Sequence, residues 1–124
     1  MRLGSILIVL ALLSASAEAA APKRVLILHS FGRDFAPFNT VAAAFRAELV
    51  RMLPGPIVFQ EASLDAERPP EEERPFIDFL LSRYDGTQPD LVLAIGAPAM
   101  RFHLRSRPHL FPRVPLLAAG IDHR

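Results

Sequence analysis

The sequence of 124 residues contains no cysteine. A disulfide framework, a thiolate metal site and a cysteine nucleophile are therefore excluded. The chain also lacks an excess of charge of either sign, because 14 Lys and Arg residues are balanced by 13 Asp and Glu residues. Such a balance gives no electrostatic reason to expect a nucleic-acid partner. The length corresponds to one small domain.

Three motifs that mark nucleotide-binding and hydrolytic sites are missing from the sequence. The chain has no G-x-G-x-x-G fingerprint and no Gly-Lys-Ser/Thr phosphate loop. It also has no G-x-S-x-G nucleophile elbow. His29 and Ser30 are neighbours at the end of a predicted strand, where adjacent side chains point to opposite faces, so they are not expected to form a catalytic dyad. We therefore expect a protein that is not an enzyme and that binds no cofactor.

The N-terminus contains the only long apolar run of the chain. Arg2 is followed by the apolar segment Leu3–Leu13 and then by two overlapping small-x-small sites, which end at Ala19 and Ala21. This is the layout of a secretory signal peptide, and the run is shorter than the roughly 20 residues that span a bilayer. We predict a signal peptide over residues 1–21 and a periplasmic or secreted mature chain. Membrane attachment is expected only if the signal remains as an uncleaved anchor.

Four apolar runs alternate with helical patterns in residues 22–124. The predicted strands are Arg24–Leu28, a run that starts at Ile57, Leu91–Ile95 and Val114–Ala119. The predicted helices are Pro37–Leu53, a segment that ends near Tyr84 and a short segment that opens at Gly96 and Pro98. Continuous apolar strands that alternate with helices indicate a parallel sheet covered on both faces. The predicted fold class is α/β, a three-layer α/β/α domain with a mostly parallel four-stranded sheet.

Two of the predicted helices have an apolar stripe at three- and four-residue spacing, which is typical of a helix packed on a core. The stripe of the first is Phe38, Val41, Ala42, Phe45, Leu49 and Met52. The stripe of the second is Phe76, Phe79, Leu80 and Tyr84. Glu71–Glu73 reads as the solvated start of that second helix.

Small and hydroxyl-bearing residues follow the predicted strands. In open parallel sheets, ligands bind beyond the carboxyl ends of the strands. Small side chains there let a ligand approach the backbone, although tight turns need Gly, Ser and Pro in any case, and both interpretations stay open. The candidate ligand-binding residues are His29, Ser30 and Phe31 after the first strand, Ser63 after the second, and Gly96, Ala97 and Pro98 after the third. Gly120 and Asp122 follow the fourth strand at the same edge.

Other polar residues give weaker signals. His103, His109 and His123 lack the spacing of metal ligands, so no metal site is predicted. Arg33 and Asp34 read as a local ion pair in an exposed loop, which contributes little to stability.

Two motifs of the chain resemble a known family. "LHSFGRDFAPF" after the first strand and "IGAPA" after the third are similar to the N-terminal portion of periplasmic solute-binding domains of the type I periplasmic binding fold. These domains resemble the substrate-binding proteins of ABC transporters. Similar segments open the extracytoplasmic sensor regions of many bacterial sensor histidine kinases.

The resemblance implies ligand binding without catalysis. Domains of this kind hold a small molecule in the cleft between two α/β lobes, and closure of the cleft signals to an ABC permease or to a histidine kinase module. Residues 22–124 then correspond to the first lobe of such a domain, and we expect the chain to be a truncated form of it. A small-molecule ligand and a permease or kinase module are the expected partners.

Two other functions remain open. A small exported flavodoxin-like enzyme domain would have the same strand and helix order. A protein–protein interaction module is the other, because no helix follows the fourth strand and one face of that strand is expected to be bare.

Overall fold

The computed structural model describes residues 21–65 and 69–121, so residues 1–20 of the predicted signal peptide, together with Asp122 and His123, lie outside the described residues. Strands and helices alternate along the chain as the apolar pattern predicts. The elements are β1 (Lys23–His29), α1 (Phe38–Met52), β2 (Ile57–Ser63), α2 (Pro70–Tyr84), β3 (Leu91–Ile95), α3 (Ala97–Ser106) and β4 (Leu116–Ala119).

The four strands form one sheet in the order β2-β1-β3-β4, and every neighbouring pair is parallel. This confirms the predicted α/β class, with a sheet that is parallel throughout. The chain forms β2 on one side of β1 and then returns to form β3 on the other side. The strand order therefore reverses between β1 and β3, and the crevice outside the carboxyl ends at such a reversal is where open α/β sheets bind ligands.

One face of the sheet is covered by α1. Val25 and Ile27 of β1 point to this face and form a buried cluster with Ala42 of α1 and with Leu93 and Ile95 of β3. The helix adds partly buried side chains to the same cluster: Phe38, Val41, Phe45 and Leu49. The predicted stripe of α1 is correct except for Met52, which is 63 % exposed because it lies in the last turn, beyond the end of the sheet contact.

The opposite face is covered by α2 and α3. Leu26 and Leu28 alternate with the residues that face α1, as side chains of a strand must, and they pack in the larger buried cluster of the domain. From α2 this cluster takes Phe76, Ile77, Leu80 and Tyr84, and from α3 it takes Ala99 and Phe102. Phe79 was predicted to share the buried side of α2, but it is 47 % exposed and Ile77 is buried instead.

Strand β4 is a half-covered edge of the sheet. It begins at Leu116, two residues later than predicted, because Pro115 has no N–H to donate to a ladder. Leu117 is 48 % exposed and Ala118 is also exposed. The bare face expected from the sequence is therefore present. Among residues 21–65 and 69–121, no helix combines the length and the apolar character that a bilayer span requires.

Candidate functional site

Ser30 lies at the reversal of strand order and joins three elements. Its backbone N–H and its hydroxyl both donate to the carbonyl oxygen of Ile95, at 3.0 and 2.7 Å. The hydroxyl also accepts the N–H of Ala99 in the first turn of α3, at 2.9 Å. The residue is only 1 % exposed. The hydroxyl group of Ser30 therefore links β1 to β3 and α3 through these hydrogen bonds. A ligand could contact the hydroxyl only by displacing them.

Gly96 is shaped by this arrangement. Its backbone dihedrals are φ 90° and ψ 158°, in a region that only glycine occupies readily. A β-carbon at this position would lie 2.6 Å from Oγ of Ser30, well inside contact distance. The glycine therefore lets the end of β3 approach Ser30, and its N–H donates to the carbonyl of Ala119 in β4 at 2.8 Å.

The start of α3 is a weaker anion site than an ordinary helix start. Helix N-termini bind anions through unpaired amide hydrogens. In α3, Pro98 has no amide hydrogen, and that of Ala99 is donated to Ser30. Ala97 and Pro98 are partly exposed at this edge, as a binding role requires. Among the first three residues of α3, only Ala97 has a backbone N–H that is not donated to Ser30.

Three phenylalanine rings cover the same edge of the sheet. We call Phe31, Phe35 and Phe38 the phenylalanine cluster. The ring centroids of Phe31 and Phe35 are 4.7 Å apart, and the rings of Phe31 and Phe38 are stacked nearly parallel at 5.8 Å. Phe35 is the outermost ring and is 49 % exposed. The cluster places an apolar, half-exposed surface directly above the crevice between β1 and β3.

Phe38 forms the base of the phenylalanine cluster. A β-carbon at Gly120 would lie 2.9 Å from this ring, and one at Gly96 would lie 3.7 Å from it. The two glycines that follow β3 and β4 thus leave room for the Phe38 ring. Phe38 and Ser30 therefore occupy the bottom of the crevice, with the rings of Phe31 and Phe35 stacked on that of Phe38.

A second group of side chains is centred on Glu61 of β2. Its Oε1 atom accepts from Nε2–H of His29 at 3.0 Å and from the guanidinium of Arg46 at 2.7 Å. Its Oε2 atom lies 3.4 Å from Arg33. The His29 side chain is 2 % exposed and that of Glu61 is 19 % exposed. A carboxylate this deep in the fold is stable because several donors surround it.

Glu61 was not predicted from the sequence, although a signal exists. In the parallel register it lies beside Ile27 and therefore points to the face covered by α1. A charged residue at a core-facing position of a strand requires a partner, and Arg46 on α1 supplies one from 15 residues away. The prediction that Arg33 pairs with Asp34 is wrong, because the guanidinium of Arg33 pairs with Glu61 instead.

Replacement of Glu61 tests how much this group stabilises the fold. We expect Glu61→Gln to lower the free energy of unfolding by about 2 kcal/mol, since the buried His29 and the partly exposed Arg46 both lose a charged acceptor. Urea unfolding monitored by circular dichroism measures the change. Glu48→Gln is the matched control, because Glu48 is exposed and its ion-pair partner among the described residues is the exposed Arg51; its unfolding midpoint should equal that of the unchanged protein. Equal midpoints for both variants would contradict a stabilising role for Glu61.

A cavity of about 450 Å³ opens between the end of β2 and α2. Ser63, a predicted site residue, lines it together with Glu61, Ala62, Pro75, Phe76 and Phe79. The exposed ring of Phe79 forms part of its rim. Glu61 lines this cavity and also pairs with Arg33 of the loop that contains Phe31 and Phe35.

The predicted site residues therefore meet at one edge but play different parts. Ser30 and Gly96 are internal to the fold, and His29 is buried and bonded to Glu61. Phe31 and Ser63 are partly exposed and line surfaces that a ligand can reach. The side chains of His29 and Ser30 have no partner in common, since one faces α1 and the other faces α3.

No group of three or more His, Asp or Glu side chains within residues 21–65 and 69–121 is placed to bind a metal ion. Comparisons of the chain with protein-family models, with curated proteins and with solved structures found no match. The function is therefore argued from the geometry of the carboxyl edge.

Proposed function

We propose that the protein is an exported, non-catalytic ligand-binding lobe, similar in design to the lobes of periplasmic solute-binding domains. In this proposal a small molecule binds at the carboxyl edge of the sheet. The bound state is read by a permease or a histidine kinase module. Export rests on the signal-peptide pattern of residues 1–21.

The half-exposed phenylalanine cluster carries the proposal. A ring that is 49 % exposed, such as that of Phe35, gains free energy whenever a ligand or a second surface covers it. The cluster lies at the reversal of strand order, which is the preferred ligand position in open α/β sheets. On the β2 side of the same edge, Arg33 pairs with Glu61, and a cavity of about 450 Å³ lies beside the end of β2.

The non-catalytic part of the proposal is supported by the bonding of the polar residues. The Ser30 hydroxyl donates to a backbone carbonyl and accepts a helix N–H, so it is held as a structural group. His29 donates to Glu61 from the other face of β1. A nucleophile needs a base within hydrogen-bond reach, and these two side chains are not arranged in that way.

Thermal unfolding in the presence of small molecules tests the proposal. A panel of amino acids, sugars and organic acids should contain at least one compound that raises the Tm, because a ligand that binds only the folded state stabilises it. Phe35→Ala should abolish that rise, whereas Leu117→Ser on β4 should retain it. A rise with flavins or nucleotides alone would instead support the flavodoxin-like enzyme. A rise that survives in Phe35→Ala would contradict binding at the phenylalanine cluster.

A protein–protein interaction module is the second candidate, and the exposure of β4 favours it. Leu117 is 48 % exposed beside the exposed Ala118. A further cavity of about 500 Å³ lies along this strand, lined by Met100, Ala118, Ala119, Gly120 and Ile121. Concentration-dependent dimerisation measured by light scattering, lost in Leu117→Ser, would support this candidate. A monomer at all concentrations would count against self-association.

A further inference from the structure

The loop that follows β1 contains a cation, Arg33, between two phenylalanines in the sequence, the partly exposed Phe31 and the half-exposed Phe35. From this arrangement we infer that the ligand is a small organic anion with a planar ring. Its carboxylate pairs with Arg33, and its ring packs on Phe31 and Phe35. The inference rests on the proposed function and adds the chemical class of the ligand.

The charges of Glu61 and of the two arginines that contact it, Arg33 and Arg46, favour an anionic ligand. Arg33 and Arg46 supply two positive charges, and Glu61 supplies one negative charge, so the three side chains together have a net charge of +1. Arg46 is bonded to Glu61 at 2.7 Å. One carboxylate cannot neutralise both guanidinium groups, and the carboxylate of Asp34, the neighbour of Arg33 in the loop, forms no ion pair with either of them among the described residues. A ligand carboxylate can therefore pair with Arg33.

Arg33 is the guanidinium that is free to turn to that ligand. Its distance of 3.4 Å from Glu61 is longer than the roughly 2.7–2.9 Å of a strong charged hydrogen bond. Its side chain is 64 % exposed, compared with 35 % for Arg46. A planar guanidinium forms two parallel hydrogen bonds with a carboxylate, so Arg33 exchanges one long contact for a bidentate pair.

The aromatic part of the ligand is indicated by the phenylalanine cluster. Phe31 and Phe35 lie two residues to either side of Arg33 in the same loop. A turn holds this loop, in which the N–H of Phe35 donates to the carbonyl of Gly32 at 3.0 Å. Offset stacking on phenyl rings favours another planar ring over a saturated one. The ring of the ligand would continue the stack that Phe38 and Phe31 begin.

The other surfaces of this edge do not supply the same pair of features. The start of α3 is weak as an anion site, because Pro98 has no amide hydrogen and the amide hydrogen of Ala99 is donated to Ser30. The cavity beside Ser63 has apolar walls and the Glu61 carboxylate, so it does not attract a second negative charge. Arg83 also lies over the exposed ring of Phe79 at the rim of that cavity, with its guanidinium carbon 5.8 Å from the ring centroid, but there the cation already packs on the ring and the Glu61 carboxylate lines the cavity. The loop between β1 and α1 instead offers an exposed cation together with the half-exposed ring of Phe35.

Saturation-transfer NMR with four matched probes tests the inference. The probes are phenylacetate, neutral phenylacetamide, cationic phenethylammonium and cyclohexylacetate, which has the charge without the aromatic ring. We expect phenylacetate to bind about fivefold more tightly than phenylacetamide, the upper range for one exposed ion pair. Phenethylammonium and cyclohexylacetate should bind more weakly still.

Two variants and a control assign the contacts. Arg33→Gln should bring phenylacetate down to the affinity of phenylacetamide without changing the affinity of phenylacetamide itself. Phe35→Leu should weaken both compounds. Asp34→Asn, which removes a negative charge from the same loop, should retain the preference for phenylacetate. Amide spectra of each variant establish that it is folded.

The outcomes separate this inference from the proposed function. Equal binding of phenylacetate and phenylacetamide would overturn the anionic class, and equal binding of phenylacetate and cyclohexylacetate would overturn the aromatic class. Absence of binding by all four probes overturns the inference as well. In each case the proposed function stands if another compound raises the Tm of the unchanged protein but does not raise the Tm of Phe35→Ala. If no compound raises the Tm, both fail.

Discussion

Replacement of Gly96 by alanine is expected to lower the free energy of unfolding by about 4 kcal/mol. Two effects add up to this value. The backbone at φ 90° and ψ 158° is strained by about 1–3 kcal/mol for any residue with a β-carbon. The new methyl group would also lie 2.6 Å from Oγ of the buried Ser30, and overpacking of this kind costs about 1–3 kcal/mol. Urea unfolding monitored by circular dichroism measures the loss.

Gly32→Ala is the matched control for this prediction. A β-carbon at Gly32 meets nothing within 4 Å, so its unfolding midpoint should change little. The double variant Ser30→Ala, Gly96→Ala tests the clash apart from the backbone strain, because removal of the hydroxyl relieves the 2.6 Å contact and leaves the 3.0 Å contact with Cβ of residue 30 and the backbone strain in place. The effects of the two substitutions should therefore be less than additive. A midpoint for Gly96→Ala equal to that of Gly32→Ala would contradict the packing described for Ser30.

Acidification is expected to destabilise the protein through His103. This residue of α3 is fully buried, and neither ring nitrogen has a hydrogen-bond partner among the described residues. Burial lowers the pKa of His103 from 6.5 to about 4, and the charge of Arg107 contributes in the same direction. The folded state thus favours the neutral imidazole, whereas the unfolded chain takes up a proton near pH 6.5.

The sign of the effect follows from the number of bound protons. Between pH 6.5 and pH 4 the unfolded state binds more protons at His103 than the folded state does, so stability rises with pH across this window. The full contribution is present above pH 6.5 and is lost as the pH falls toward 4. The difference between the two pKa values corresponds to about 3 kcal/mol, at 1.36 kcal/mol for each tenfold change in proton affinity.

The variant His103→Leu isolates this contribution from the titration of carboxylates. At pH 8 it should be more stable than the unchanged protein by about 1 kcal/mol, since two unpaired buried nitrogen atoms are removed. The difference should widen as the pH is lowered to 4. Unfolding free energies of both proteins, measured at the same series of pH values, test the prediction. A difference that does not vary with pH would contradict it.

The sheet and its helices could be predicted because their signals are local. The uninterrupted apolar runs of β1 and β3 are typical of strands buried on both faces. The spacing of apolar residues in α1 predicted the buried side of the helix correctly for five of six residues, since a helical stripe depends only on spacing. The errors lie at the ends and margins of helices. Met52 is in the last turn of α1, and Phe79 is at the border of the α2 stripe.

The candidate site could be predicted only in outline. The meeting of His29, Ser30, Ser63 and Gly96 at one edge follows from parallel strands. Their bonding does not, because it depends on tertiary distances. The partner of Ser30 on α3 is 69 residues away, and that of His29 on β2 is 32 residues away. The Glu61 group escaped prediction for the same reason, as a single charged residue in an edge strand also fits a solvated position.

The residues at the carboxyl edge fall into a buried group and an exposed group. Ser30 and Gly96 fix the ends of β1 and β3, and Phe38 fills the space between them. Phe31, Arg33 and Phe35 then project a surface beyond the edge of the sheet. A rigid base that supports an exposed loop is the usual arrangement for binding residues.

An amide chemical-shift map tests the central claim that small molecules bind at this edge. The ¹⁵N-labelled protein is titrated with the compound that gives the largest increase in Tm. Binding at the carboxyl edge predicts that the largest shifts fall in residues 31–35 and around Ser63, and that they vanish in Phe35→Ala. Shifts centred on residues 116–121 of the β4 edge, with residues 31–35 unchanged, would contradict the claim.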